Sequence, residues 1–344
     1  MMPRHGGKWM TPRTFVAFLL AATFLATSVA YGKKKPASVK EPAPRGAHSG
    51  RPTERVSPPP QVNPAAVVWR TPAPPKNPQA GDVWISPKDG AEMVYVPAGE
   101  FLMGSADSDK RAEADEQPQF RASLPGYWID KCEVTVARYR KFCKETGREM
   151  PPAPGWGWQD NHPVVHVFWD EAAFYAKWAG ERLPTEMEWE KAARGTDGRK
   201  YPWGSQWPPP AGSGNFADEA FTRKDPDLAR RLTNAGFPPL RGYDDGYAET
   251  APVGEFPRGA SPYGALDMAG NVWEYCADWY DREAYQRYAK GDLIPPAFRF
   301  FVVLRGGSWI NVNPAFFRCA DRDYGNPDFR CGNSGGFRCV RGPL

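Results

Sequence analysis

Beyond about residue 195 the chain leaves regular secondary structure little room. Long stretches rich in Gly, Pro, Asp and Trp alternate with short apolar runs such as Phe300 to Leu304, and Gly and Pro are the residues that most reliably interrupt helices and strands. A core must therefore come from something other than long elements. The 14 tryptophans can supply it, because an indole buries a large apolar surface while asking for one hydrogen-bond partner. Aromatic packing is expected to replace extensive sheets as the stabilising device. Loops longer than about 15 residues are functional or disordered as a rule, and residues 205–244 form such an insertion.

The region before this is more regular. Met93-Val-Tyr-Val-Pro97 and Gly99-Glu-Phe-Leu-Met-Gly104 alternate and break like two short strands around a turn. Thr135 reads as the N-cap of a helix running to about Thr146, where Gly147 stops it. Val136, Tyr139, Phe142 and Cys143 share one face of that helix. A second helix is predicted from about Asp170 to Trp178, burying Ala173, Phe174 and Trp178 and ending at Gly180. Thr185-Glu-Met-Glu188 is a capping box, in which hydroxyl and carboxylate each satisfy an amide at a helix start. It predicts a third helix over about 186–194.

The first quarter of the chain is not core. Arg4, Lys8 and Arg13 precede the apolar run Phe15 to Ala30, which ends in Ser28-Val29-Ala30, the pattern of a cleaved export signal. The run is shorter than the roughly 20 residues that span a bilayer; a retained N-terminal anchor is the alternative. Residues 31–82, crowded with Pro, Ala, Lys and Arg, cannot bury a core and read as an extended tether. The domains expected are thus a signal peptide over 1–30, a Pro/Lys-rich linker over 31–82 and a folded domain over 83–344. The net charge of +4 hides opposite halves, since residues 31–81 hold nine basic and two acidic residues. Contact with a membrane is expected only through the signal peptide or this basic linker. Nothing resembles a nucleic-acid footprint. The protein is expected to be exported, periplasmic or secreted.

Cys132, Cys143, Cys276, Cys319, Cys331 and Cys339 all fall in the folded part. An exported, even-numbered set favours disulfides, with 15 pairings open, and no C-x-x-C spacing points to zinc. His162 and His166, the only histidines of the domain, lack an evident third ligand, so a buried or turn-stabilising role is expected.

Five blocks, in order, carry a resemblance: Leu183-Pro-Thr-Glu-Met-Glu-Trp189, Tyr201-Pro-Trp-Gly204, Gly270-Asn-Val-Trp-Glu274, Arg305-Gly-Gly-Ser-Trp309 and Gly336-Phe-Arg-Cys-Val340. Together they resemble the formylglycine-generating enzyme (sulfatase-modifying factor) family over about residues 90 to 343. The resemblance implies an irregular α+β fold of the C-type-lectin-like kind, low in regular structure. In that family two cysteines after the Gly-Gly-Ser segment hold Cu(I), and oxygen oxidises a cysteine of a sulfatase to an aldehyde. Their positions match Asn311 and Phe316 here, and neither side chain supplies the soft thiolate that selects Cu(I). Copper is therefore not expected. Cys319 and Cys339 match family positions of structural disulfides, whose usual partners fall at about Ala176 and Ala193.

Calcium is the cofactor the resemblance implies. One set of ligands falls on Asn215, the Phe216 carbonyl, Asp245 and the Tyr247 carbonyl. A second, contiguous set falls on Asp267, the Gly270 and Val272 carbonyls and Glu274. Closely spaced hard oxygens on loops suit Ca2+; the bland reading of Asp267 and Glu274 is that they cap turns. Trp273 and Ser308 match residues lining the family's cleft, and packing explains both almost as well. Three functions stand open: a binding or accessory module in the cell envelope with a protein or peptide ligand, an oxygen-dependent protein-modifying oxidoreductase with a non-standard site, and a structural envelope protein.

Overall fold

A computed structural model describes residues 66–342. The expected export signal and the expected linker up to residue 65 lie outside the described residues. Ordered structure begins before residue 83: β1 (Val68–Trp69) runs parallel to β2 (Val83–Ile85), and the Asp82 carboxylate accepts from the Val67 and Gln79 amides at 2.9 Å. The last part of the expected tether is thus tied to the domain by a buried acid.

β3 (Glu92–Val96) and β4 (Gly99–Met103) are the two strands expected from the alternation, but they join different sheets. β4 pairs with β5 (Phe120–Leu124) alone, whereas β3 pairs with β2 and with β6 (Tyr127–Asp130). α1 (Val136–Thr146) has the predicted ends: Thr135 accepts from the Arg138 amide, and Gly147 adopts φ 70°. Each such cap is worth about 1 kcal/mol. α2 (Trp169–Ala179) is present but turned: Ala172, Tyr175, Ala176 and Ala179 face the core, while Phe174 is 46 % exposed. The stripe at i, i+3, i+4 and i+7 won over the bulkier residues, and Phe174 instead lies under the Arg148 guanidinium at 4.6 Å.

α3 (Glu186–Arg194) follows the capping box as expected, Thr185 and Glu188 each accepting the other's amide. The 205–244 insertion is not irregular throughout. It holds α4 (Glu219–Lys224) and α5 (Pro226–Asn234), capped by Asp218 and Asp225, with Pro226 where a missing amide costs nothing. β7 (Trp273–Trp279), α6 (Ala284–Tyr288), β8 (Val302–Arg305), β9 (Asp323–Gly325), β10 (Gly335–Gly336) and β11 (Val340–Arg341) complete the domain.

The strand order is β1-β2-β3-β6-β11 in one sheet and β10-β7-β8-β9 in another. Aromatic rings fill the space between and beside them. Tyr139, Phe142, Tyr175 and Phe337 pack together under α1 and α2. Tyr201, Trp203, Trp207, Phe216 and Phe317 form a second aromatic cluster, in which Trp207 stacks on Phe317 at 5.8 Å.

Four arginines are buried with a glutamate each: Arg305 with Glu190 at 2.5 Å, Arg322 with Glu186 at 2.6 Å, Arg318 with Glu116 at 2.5 Å and Arg338 with Glu274 at 2.6 Å. Three of these pairs converge on α3, since Trp189 donates to Glu274 and lies against Arg305. A buried ion pair contributes little net stability, yet removing one partner is costly. These pairs hold α3, β7 and the C-terminal strands in one arrangement.

Candidate functional site

Two loops define the site, the Gly270–Glu274 segment entering β7 and the Gly-Gly-Ser segment leaving β8. They are zipped by backbone bonds, Gly270 to the Gly306 carbonyl and Trp309 to the Asn271 carbonyl, each at 2.9 Å. The glycines are required. Gly307 has φ 73°, and a Cβ there would lie 2.7 Å from the Phe317 ring. Gly270 has φ 88°, and its Cβ would lie 2.3 Å from the Asn215 carbonyl oxygen. Asp267 and Asn271 also sit in the left-handed region, at φ 57° and 56°, which short polar side chains tolerate better than others.

Asn311 and Phe316 come to this junction together with Ser308 and Trp273. The Asn311 Oδ1 accepts from both the backbone amide and the hydroxyl of Ser308, at 2.8 Å. The Phe316 ring meets Trp273 edge-on at 5.8 Å. Ser308 and Trp273 are 0 % and 7 % exposed, so both are packed inside rather than set along an open wall. A turn-holding amide and a buried ring occupy the two positions, and this donor set does not fit Cu(I).

All six cysteines, Cys132, Cys143, Cys276, Cys319, Cys331 and Cys339, are free thiols in the structure, which contains none of the expected disulfides among the described residues. The thiols are spread over three parts of the core. Cys143 and Cys339 belong to the core under α1 and α2, with Cys331 at its margin, Cys276 and Cys319 lie in the core around Trp189, and Cys132 abuts Gly254. Burial pushes the Cys319 thiol up to about 12 and Cys331 to about 11, and raises the other four. Only a thiolate binds metal or attacks, so these groups are inert as they stand.

Asp245 ties together the segments of the first candidate set. Asp245 accepts from the Phe216 amide at 2.8 Å and from the Tyr247 amide at 2.8 Å. The Asn215 Nδ2 is spent on the Glu249 carbonyl and on Asn271, leaving its buried Oδ1 without a protein donor. Burial and the neighbouring Asp218 charge raise Asp245 to about 8. An orphaned amide oxygen beside a carboxylate held against its preference fits a hard cation. Asp218, inside the insertion, accepts from the Asp245 amide at 2.6 Å and so fixes this loop; its position in the sequence gave no sign of that.

The second set fits less well. Both Glu274 oxygens are engaged by Arg338 at 2.6 Å, and Oε2 also accepts from Trp189. Arg338 already supplies the positive charge. Asp267 Oδ2 accepts from Gly254 at 2.6 Å, and its side chain also lies within hydrogen-bond reach of the buried Glu133. His162 and His166 do not meet at a common point: the first bonds Thr250 and the second the Pro152 carbonyl, as expected of a buried and a turn-stabilising residue.

Comparison with known proteins agrees with this geometry. Residues 79–343 match the model of the "Sulfatase-modifying factor enzyme 1-like domain" family. The chain is 33 % identical over 302 residues to a formylglycine-generating enzyme of Streptomyces coelicolor, covering 74 % of this chain and 90 % of that one. Among solved structures it is similar to PvdO from Pseudomonas aeruginosa, with TM-score 0.63 and 25 % identity over 78 % of this chain and all of that one. It also shares the fold of Treponema denticola variable protein 1, with TM-score 0.54 and 21 % identity over 76 % of this chain and 99 % of that one. The irregular α+β fold of the C-type-lectin-like kind is thereby shown.

Proposed function

Because the chain belongs to the sulfatase-modifying factor enzyme 1-like domain family, we propose that it is an exported member that has given up copper-dependent cysteine oxidation and acts as a binding or accessory module of the cell envelope, with a protein or peptide as its ligand. One observation carries this reading. Where the copper pair belongs, Asn311 is committed to Ser308 and Phe316 is packed on Trp273. Fold alone does not decide activity; the replaced donors support this reading.

Calcium belongs to this reading as a structural ion. Asn215 and Asp245, with the Phe216 and Tyr247 carbonyls, are the residues to hold it, and Asn215 Oδ1 is the group that supports it. Bound there, Ca2+ supplies positive charge that lets Asp245 stay ionised. The chain's own part is to keep the oxygens in place through Asp218 and the Gly270 contact.

The test is aldehyde formation on a sulfatase-type cysteine peptide, with Cu(I) and oxygen supplied, read by mass spectrometry. The wild-type chain is expected to leave the peptide unchanged. Turnover by wild type that disappears in Cys319→Ser would overturn the reading in favour of an oxygen-dependent protein-modifying oxidoreductase with a non-standard site. Export is checked separately: the mature chain in a periplasmic or secreted fraction should begin at Tyr31.

A further inference from the structure

We propose that Asp130, Glu181 and Cys339 form a binding site for a single Zn2+ ion, at a place in the fold separate from both calcium sets. Three elements bring them together: Asp130 ends β6, Glu181 follows the Gly180 stop of α2, and Cys339 precedes β11. One ligand atom from each lies within 4.8 Å of the other two. Asp130 and Cys339 are 0 % exposed and Glu181 9 %.

The unspent lone pairs identify the ligand atoms. Asp130 uses Oδ2 for Arg138 at 2.9 Å and for the Cys339 amide at 3.1 Å. Glu181 uses Oε1 for the Ser86 hydroxyl at 2.9 Å. The opposite oxygens, Asp130 Oδ1 and Glu181 Oε2, are buried and accept nothing from the described residues. Two buried carboxylate oxygens left over in one cluster cost several kcal/mol each in an apolar interior unless a proton or a cation meets them.

Charge points the same way. Asp89, Asp130 and Glu181 share this interior with Arg138, which bonds both Asp89 and Asp130. One guanidinium against three carboxylates leaves negative charge over. A divalent ion offsets that excess of two, and the thiolate formed on binding leaves one negative charge over.

The donor set selects the metal. A sulfur beside two carboxylates is too soft for Ca2+ or Mg2+ and suits Zn2+, with Zn–S near ~2.3 Å and Zn–O near ~2.0–2.2 Å. Three protein donors fill three positions of a tetrahedron and leave the fourth to water. As the ion binds, a Zn–S bond forms, the Cys339 S–H bond breaks, and the proton leaves to solvent; no electrons are transferred.

The full-length chain, stripped of metal and returned to calcium-containing buffer, is titrated with Zn2+, and separately with Co2+ as an optical probe. The wild type should retain one equivalent of Zn2+ through desalting. Its Tm should rise by roughly 5–10 °C with free Zn2+ at about a hundred times Kd. The Co2+ form should show a thiolate-to-metal band in the near ultraviolet. Cys339→Ser should abolish the band, and Glu181→Gln, which keeps the shape and the Ser86 contact, should weaken Zn2+ binding at least about tenfold. No retained Zn2+ in the wild type, or retention unchanged in both variants, would overturn the site. So would an infrared carboxylic-acid band from a shared Asp130–Glu181 proton that persists in saturating Zn2+.

Discussion

Arg338→Met separates two accounts of what holds Glu274. Arg338 makes five hydrogen bonds, two to Glu274 and one each to the Asp130, Lys131 and Leu266 carbonyls, and both side chains of the pair are 0 % exposed. Methionine fills most of the volume but leaves Glu274 buried with only the Trp189 indole as a donor, near Asp267 and Glu133, which are of the same charge. Breaking a buried pair from one side costs about 3–5 kcal/mol. At roughly 2–4 °C per kcal/mol for a domain of this size, Tm should fall by roughly 6–20 °C. Differential scanning calorimetry at fixed calcium reads this, with Glu274→Leu/Arg338→Met as the companion that removes the stranded charge and should recover part of the loss. A Tm change below about 3 °C, or a loss that vanishes as Ca2+ is raised, would refute the reasoning by showing that a metal ion rather than Arg338 carries the counter-charge.

Gly270→Ala should destabilise by roughly 2–4 kcal/mol, strain at positive φ adding to overlap with the Asn215 carbonyl; urea unfolding measures it. Alkylation with iodoacetamide after denaturation without reductant should modify all six cysteines, whereas four or fewer would reveal disulfides that the structure lacks. Metal-free native protein at neutral pH should react slowly, because burial raises all six thiols. Removing calcium should lower Tm, by mass action on the native state, and Asp245→Ala should abolish that dependence; equal melting with and without Ca2+ in the wild type would count against the first calcium set.

What was legible in the sequence is what local chemistry dictates. Caps at Thr135, Gly147, Thr185 and Glu188 specify α1 and α3 without help from the rest of the fold. The five blocks carry the fold and family because their glycines answer to backbone crowding, as Gly270 and Gly307 do. Partners distant in the chain left no local trace. Phe174 looked like core by size, but the small residues Ala172 and Ala176 decided which face turned inward. Nothing near Glu186 or Glu190 announces that Arg322 and Arg305 will meet them across more than a hundred residues. The insertion appeared shapeless because Asp218 and Asp225 cap helices too short to show a period. Of the candidate site, Asn311, Phe316, Ser308 and Trp273 do come together, but as packed interior. Their burial depends on neighbours that sequence spacing does not reveal.

Cu(I) titration against a competing chelator tests the central claim most directly, with Asn311→Cys/Phe316→Cys as the comparison. The account predicts that the wild-type chain takes up no stoichiometric copper, while the double variant, with two thiols restored beside Ser308 and Trp273, gains one tightly held ion. One equivalent of Cu(I) bound through thiols of the wild-type protein would contradict it.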